Sequence, residues 1–213
     1  MDSSQQGRRG VVGTTVLVAS VVVAMGFVAY VAIGGRGRRR GPGFEERAQA
    51  AGIEFTMHNL PNEQGEQFRI NLYDHGSGLA IGDYDNDGRD DIYFLDQHGA
   101  NALYRNRGGG RFEDVTRAAG LSMDGMVSVA ATFADYDNDG WEDLFVTTTR
   151  GGNVLYHNRG DGSFEDVTGK AGVEHVGHSQ AAVFFDYDND GRLDLFLANT
   201  AHWTTDNFDF VNR

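Results

Sequence analysis

An all-β fold, an incomplete β-propeller of four-stranded blades, is what this sequence predicts, and three observations carry that expectation. An acidic pattern, Asp-x-Asp-x-Asp-Gly-x-x-Asp, starts at Asp83 and recurs from Asp135 and from Asp186, at spacings of 52 and 51 residues. Short apolar runs flank every copy and supply about four strand-length segments per period, the sequence signature of a propeller blade. Glycine is abundant at 30 residues and proline scarce at 2, which suits tight turns between short strands better than long helices.

The strands follow from these runs. Residues 78–82, 129–134 and 181–185 lead into the acidic loops, and residues 91–95, 143–148 and 194–198 lead out of them, rich in Ile, Leu, Phe and Tyr. A second block repeats with the same offset of 52: Asn-x-Leu-Tyr-x-Asn-Arg-Gly-x-Gly-x-Phe-Glu-Asp-Val-Thr begins at Asn101 and at Asn153. It places strands at 103–104 and 112–115, and at 155–156 and 164–167, either side of glycine-rich turns. The tail of that block also occurs once near the start, where residues 44–53 align with 112–121. The array therefore opens on the last part of a unit, and residues 54–77 read as an insertion. Beyond residue 43 no segment sustains a helical apolar period, apart from a turn or two around residues 44–51.

Ahead of the repeats lies a different kind of sequence. Residues 1–10 form a tail, 11–33 an uncharged apolar stretch of 23 residues, and 34–43 a Gly/Arg-rich linker. Such a stretch is long enough to cross a hydrocarbon core of about 30 Å. A cleaved signal peptide is the rival reading, but its apolar part usually runs about 7–15 residues. The only tolerable cleavage triplet, Ala32-Ile33-Gly34, is poor. A transmembrane anchor is therefore expected. Four Arg after the span against two before it favour the body inside. The chemistry of the acidic loops favours an extracytoplasmic body, periplasmic or at the cell surface, and long domains translocate regardless of flanking charge. That second placement is the expectation; cleavage would make the body secreted.

Charge narrows the partners. Residues 44–213 hold 12 Lys+Arg against 30 Asp+Glu, within a chain of net charge −13. So acidic a body is not expected to bind nucleic acid, because neutralising phosphates takes Lys and Arg. Cations fit better, and 12 of those 30 acids sit at the repeated Asp positions of the three loops. The absence of Cys excludes disulfides and thiolate metal sites.

The loops themselves predict about three Ca²⁺ ions, one in each. Calcium takes six to eight oxygen ligands from carboxylates, carbonyls and water. The first loop offers Asp83, Asp85, Asp87 and Asp91, the second Asp135, Asp137, Asp139 and Asp143, and the third Asp186, Asp188, Asp190 and Asp194. The peptide carbonyls of Arg89, Trp141 and Arg192 are the expected backbone ligands. Gly88, Gly140 and Gly191 permit the left-handed turn that a Cβ resists. An EF-hand is excluded: its twelfth position needs a bidentate Glu, and Phe94, Val146 and Leu197 stand there. Four carboxylates converging without a cation would repel one another.

Strand–loop–strand units with this motif resemble the FG-GAP/VCBS repeats of integrin α-type propellers. The Asn-x-Leu-Tyr…Phe-Glu-Asp-Val-Thr block is similar to that of the cartilage-acidic-protein, or ASPIC/UnbV-associated, branch. The resemblance covers roughly residues 44–213, although the Phe-Gly…Gly-Ala-Pro of integrins is missing. It implies a seven-bladed ring, secreted or on the cell surface, with calcium stiffening each blade. Two full units and parts of two others fall short of such a ring. The 213 residues are expected to be the N-terminal part of a longer protein whose remaining blades follow.

No catalytic residues are expected. The seven His are scattered, and Ser128 and Ser179 lack a nucleophile elbow. No acid, base and charge-stabilising group converge outside the metal loops. The expected function is a membrane-anchored binding or adhesion module for an unidentified protein or glycan. A propeller enzyme acting on extracellular glycans is the alternative.

Overall fold

Each acidic loop reverses the chain between two apolar strands, and all three pairs form antiparallel hairpins. A computed structural model of the chain describes residues 44–58 and 78–201. Strands β1 (Leu79–Gly82) and β2 (Asp91–Phe94) flank the first loop, with Leu79 opposite Phe94 and Gly82 opposite Asp91. β3 (Ala102–Gly108) and β4 (Arg111–Asp114) complete a four-stranded sheet in the order β1-β2-β3-β4. A second sheet repeats that order with β5 (Val127–Ala134), β6 (Asp143–Arg150), β7 (Val154–Asn158) and β8 (Phe164–Asp166). The third unit contributes the hairpin of β9 (His178–Phe185) and β10 (Asp194–Ala201). This is the four-strand meander expected of propeller blades.

Several strands run longer than the apolar runs suggest. β9 starts at His178 and β6 reaches Arg150, because polar residues such as Ser179 and Thr147 are held inside by side-chain hydrogen bonds. The repeated Asp-Val-Thr closes the fourth strand and starts a single helical turn, α1 (Thr116–Ala119) or α2 (Thr168–Ala171). Thr116 Oγ1 accepts from the Leu103 N–H at 2.8 Å, and Thr168 Oγ1 accepts from the Leu155 N–H at 2.9 Å. Residues 44–53 align with this region, and there a single 3-10 turn forms at Gln49–Ala51.

Side chains alternate across each strand, so every sheet has two faces. One core lies between the first two sheets, where Tyr93, Leu95, Leu103, Leu144 and Val146 are buried with Leu121 and Phe164. A second lies between the second and third, where Phe145, Leu155 and Val167 meet Phe184, Ala182, Leu195 and Leu197. The rings of Phe145 and Phe184 meet edge-on at 6.2 Å. In the first seam a Cβ on Gly82 would stand 2.7 Å from the Phe133 ring and 2.3 Å from Glu142 Oε2, so only glycine lets the sheets close there.

Buried polar groups also cross the seams. The Asn101 amide donates to Ser128 Oγ at 2.9 Å, and its equivalent Asn153 donates to Ser179 Oγ at 2.8 Å. Ser128 and Ser179 are therefore structural. The expected membrane span at 11–33 lies outside the described residues, as do the tail and the linker. Among the described residues no helix is long and apolar enough to cross a membrane.

Candidate metal centre

The three loops adopt one geometry. The first Asp of each accepts two backbone N–H groups from within its own loop. Asp83 Oδ1 receives Asp87 N at 2.9 Å and its Oδ2 receives Gly88 N at 2.8 Å. Asp135 and Asp186 do the same for residues 139–140 and 190–191, at 2.9–3.0 Å. Asn86, Asn138 and Asn189 sit at φ of 53°, 61° and 59°, and Gly88, Gly140 and Gly191 at 81°, 91° and 84°. The chain thus takes two left-handed steps per loop, which Asn and Gly tolerate best.

The ninth-position Asp ties the loop to the sheet. Asp91 Oδ2 accepts from Tyr84 N at 3.2 Å and Oδ1 from Asn106 N, on β3, at 2.6 Å. Asp143 accepts in the same way from Tyr136 N and, on β7, from Asn158 N. Both carboxyls are buried, and burial pushes each up to about 6, against the pull of those N–H groups.

The third Asp turns elsewhere. Asp87 Oδ1 accepts from Arg89 N at 3.1 Å, Asp139 Oδ1 from Trp141 N at 2.8 Å, and Asp190 Oδ1 from Arg192 N at 2.9 Å. The Arg89 and Arg192 side chains fold back onto the same carboxylates. Trp141 lies over Gly160 in the β7–β8 turn of its own sheet. The structure therefore brings three carboxylates together in each loop, within 4.8 Å of one another: Asp83, Asp85 and Asp91; Asp135, Asp137 and Asp143; Asp186, Asp188 and Asp194.

The second Asp tests whether these residues suit a cation. Both oxygens of Asp85 are shut off from water and accept no hydrogen bond. Arg105 Nε faces Oδ2 as an ion pair, without hydrogen-bond alignment, and is itself left unsatisfied. Burial raises the Asp85 carboxyl and Arg105 opposes that rise. Asp85 is thus offset in charge by Arg105 but accepts no aligned hydrogen bond, and a hard cation would supply the missing contacts. The residues fit Ca²⁺, because the triads offer oxygen donors only and sit on a tightly curled loop.

Two sets of residues at the loops were not anticipated. The third strand sends a side chain into the loop, and it differs between repeats: Arg105 in the first, His157 in the second. Arg105 reaches Asp85 and Asp87. His157 Nδ1 lies 3.1 Å from Asp143 Oδ1 and 3.4 Å from Asp137 Oδ2, and with Asp137 and Asp139 it makes an alternative metal-sized group. The loops are also joined to each other. Asn86 Nδ2 donates to the Gly140 carbonyl at 2.7 Å, and Asn138 Nδ2 to the Gly191 carbonyl at 3.4 Å. Glu142 Oε2 accepts from Asp83 N at 2.8 Å, and Asn158 Nδ2 donates to the Tyr84 carbonyl at 2.7 Å. The first loop is thus held by the second sheet as much as by its own. The Tyr-x-Asn that follows the first and second loops was the available signal for Asn158.

Comparison with known proteins agrees with this geometry. The model of the FG-GAP-like repeat matches residues 83–146 and 135–197. The chain is 28% identical over 150 residues to cartilage acidic protein 1 of Xenopus tropicalis, covering 69% of this chain and 22% of that protein. It is 30% identical over 138 residues to cartilage acidic protein 1 of Homo sapiens, covering 60% of this chain and 21% of that one. The chain thus spans about a fifth of the length of these relatives.

Proposed function

Since the chain belongs to the FG-GAP-like repeat family, we propose that its body is a calcium-stabilised binding or adhesion module held outside the cytoplasm. The observation that carries the calcium reading is the carboxylate triad repeated at three equivalent turns, one of them including Asp85, whose buried oxygens accept no aligned hydrogen bond. Asp83, Asp85 and Asp91 would hold the first ion, Asp135, Asp137 and Asp143 the second, and Asp186, Asp188 and Asp194 the third. Asp87, Asp139 and Asp190 and the carbonyls of Arg89, Trp141 and Arg192 complete the expected shells. Bound calcium supplies the positive charge that cancels repulsion among these acids.

In this reading the ions clamp structure and perform no reaction. His157 reaches the second loop from β7, and Ser128 and Ser179 are buried in the seams. The uncharged residues 11–33 support a membrane anchor, and relatives named for cartilage support an extracytoplasmic body. The partner is a protein or a glycan.

Calorimetric titration of the full chain in detergent with CaCl₂ tests the proposal. Three sites should register, and the thermal midpoint should rise with calcium. No heat and no midpoint shift at millimolar calcium would overturn it.

A further inference from the structure

His157 gives the second loop a donor of a kind that the carboxylate triads lack. Those triads hold oxygen ligands alone. The third-strand side chain at the first loop is Arg105, whose guanidinium carries N–H donors and no lone pair for a metal. An imidazole in the same place brings a nitrogen ligand. Asp137, Asp139 and His157 form a second group of metal-binding size, with one ligand atom from each lying within 4.8 Å of the others.

The ring is held for that role. Its Nδ1 lies 3.1 Å from Asp143 Oδ1, and Asp143 is buried and fixed in turn by the N–H groups of Tyr136 and Asn158. The Tyr136 ring meets the imidazole edge-on at 6.5 Å. A proton on Nδ1, shared with Asp143, leaves the lone pair on Nε2, which is 3.9 Å from Asp139 Oδ2. Metal-binding histidines almost always have this backing: the far ring N–H goes to a carboxylate or carbonyl that fixes the tautomer and the ring plane.

The spacing suits a small ion. At bonds of about 2.0–2.2 Å to a tetrahedral zinc, ligand atoms stand roughly 3.3–3.6 Å apart. Asp137 Oδ2 is 3.4 Å from the ring, and Asp139 is slightly farther, on an exposed side chain that can close the difference. Asp139 Oδ1 takes the Trp141 N–H, which leaves Oδ2 to serve an ion. Each of these ligands comes from the second loop or from β7 of the same sheet, so the group is complete without a residue from any neighbouring repeat.

Donor type decides which ion is preferred. Calcium takes oxygen, whereas imidazole favours zinc and its transition-metal neighbours. Asp137 belongs both to the carboxylate triad and to the histidine group, so the two ions compete for it. We propose that the second loop is a zinc site, in which His157 Nε2, Asp137 and Asp139 hold the ion and Asp143 orients the imidazole from behind. This rests on the reading of the loops as cation sites and alters its content. The array takes two kinds of metal, oxygen-bound calcium in the first and third loops and nitrogen-bound zinc between them.

Zinc binding by the full chain in detergent, first stripped of metal with EDTA and then freed of chelator, tests this. ZnCl₂ is titrated in competition with a chromophoric chelator for wild type and for His157→Gln, and CaCl₂ calorimetry is run on the same two chains. Circular dichroism checks that the variant folds. Wild type should bind one zinc tightly, and His157→Gln should lose at least about tenfold in zinc affinity while keeping its calcium sites. Cobalt(II), used as a spectroscopic substitute, should show the ligand-field bands of a nitrogen-containing site in wild type and lose them in the variant. Zinc held equally by both chains, on the scattered histidines elsewhere, would overturn the proposal, as would cobalt bands indifferent to His157. Failure of the calcium reading looks different. No calcium heat in either chain, with zinc binding that still falls in His157→Gln, would count against calcium and for zinc at this loop.

Discussion

Asn153 and Ser179 are joined across the second seam by a buried hydrogen bond, amide nitrogen to hydroxyl, at 2.8 Å. The Asn153 side chain also accepts from Thr148 N at 2.9 Å, and Ser179 Oγ in turn donates to Asn199 Oδ1 at 2.8 Å. Asn153→Ala would strand the buried Thr148 N–H and take away the donor to the Ser179 hydroxyl, which keeps only Asn199. A loss of about 2 kcal/mol or more is expected, since each unsatisfied buried group costs ~1–3 kcal/mol. Urea unfolding in saturating calcium measures it, and an unchanged midpoint would refute the account of the seam.

The acids of one loop should separate by role. Asp83 holds two backbone N–H groups whether or not a metal is bound, whereas Asp85 holds none. Asp83→Ala should therefore lower the stability of the metal-free chain by about 1–2 kcal/mol, like the loss of a helix cap. Asp85→Asn should leave metal-free stability unchanged or raised, yet remove one calcium site in calorimetry. Equal effects of the two substitutions in EGTA would contradict this division.

Arg105 places a fixed positive charge where the first ion would bind. Its counterpart in the second loop is the half-buried imidazole of His157 in place of a guanidinium. The first loop should therefore bind calcium more weakly than the second. Arg105→Gln should strengthen the first site by about tenfold, which corresponds to ~1.4 kcal/mol and is modest for a charge pair near a protein surface. His157→Arg should weaken the second site. Site-resolved titration of both variants decides the matter.

The buried carboxyls of Asp91 and Asp143 set a pH dependence for the metal-free chain. Burial raises both from 3.8 to about 6, so between those values the folded state binds more protons than the unfolded one. Stability then falls as pH rises through that window, by up to about 3 kcal/mol per group, and is level above it. In EGTA the unfolding midpoint should be higher at pH 5 than at pH 7. Calcium needs these groups ionised, so with calcium present the order should reverse.

The motif spacing made the hairpins, the period and the position of each loop legible, because Asp, Asn and Gly at fixed places constrain the backbone locally. Arg105 and His157 were not legible as loop residues. They reach the acids from the third strand, 14 residues beyond Asp91 and Asp143, and only the β2–β3 and β6–β7 pairing brings them there. The same holds for Glu142, which serves the first loop from the second. Burial of Ser128 and Ser179 was hidden for a similar reason. A hydroxyl in a strand reads as surface until its partner on the neighbouring sheet is known.

The Asn86 and Asn138 amides join each loop to the next through a glycine carbonyl, and this makes the loops links of one chain. An ion that stiffens the middle link also restrains the Gly140 carbonyl held by Asn86. The first loop then has less disorder to lose when its own ion arrives. Calcium uptake along the array should accordingly be steeper than uptake by any loop alone. The wild type should titrate with a steeper Hill slope than the Asn86→Ala, Asn138→Ala double variant, in which each loop keeps its acids.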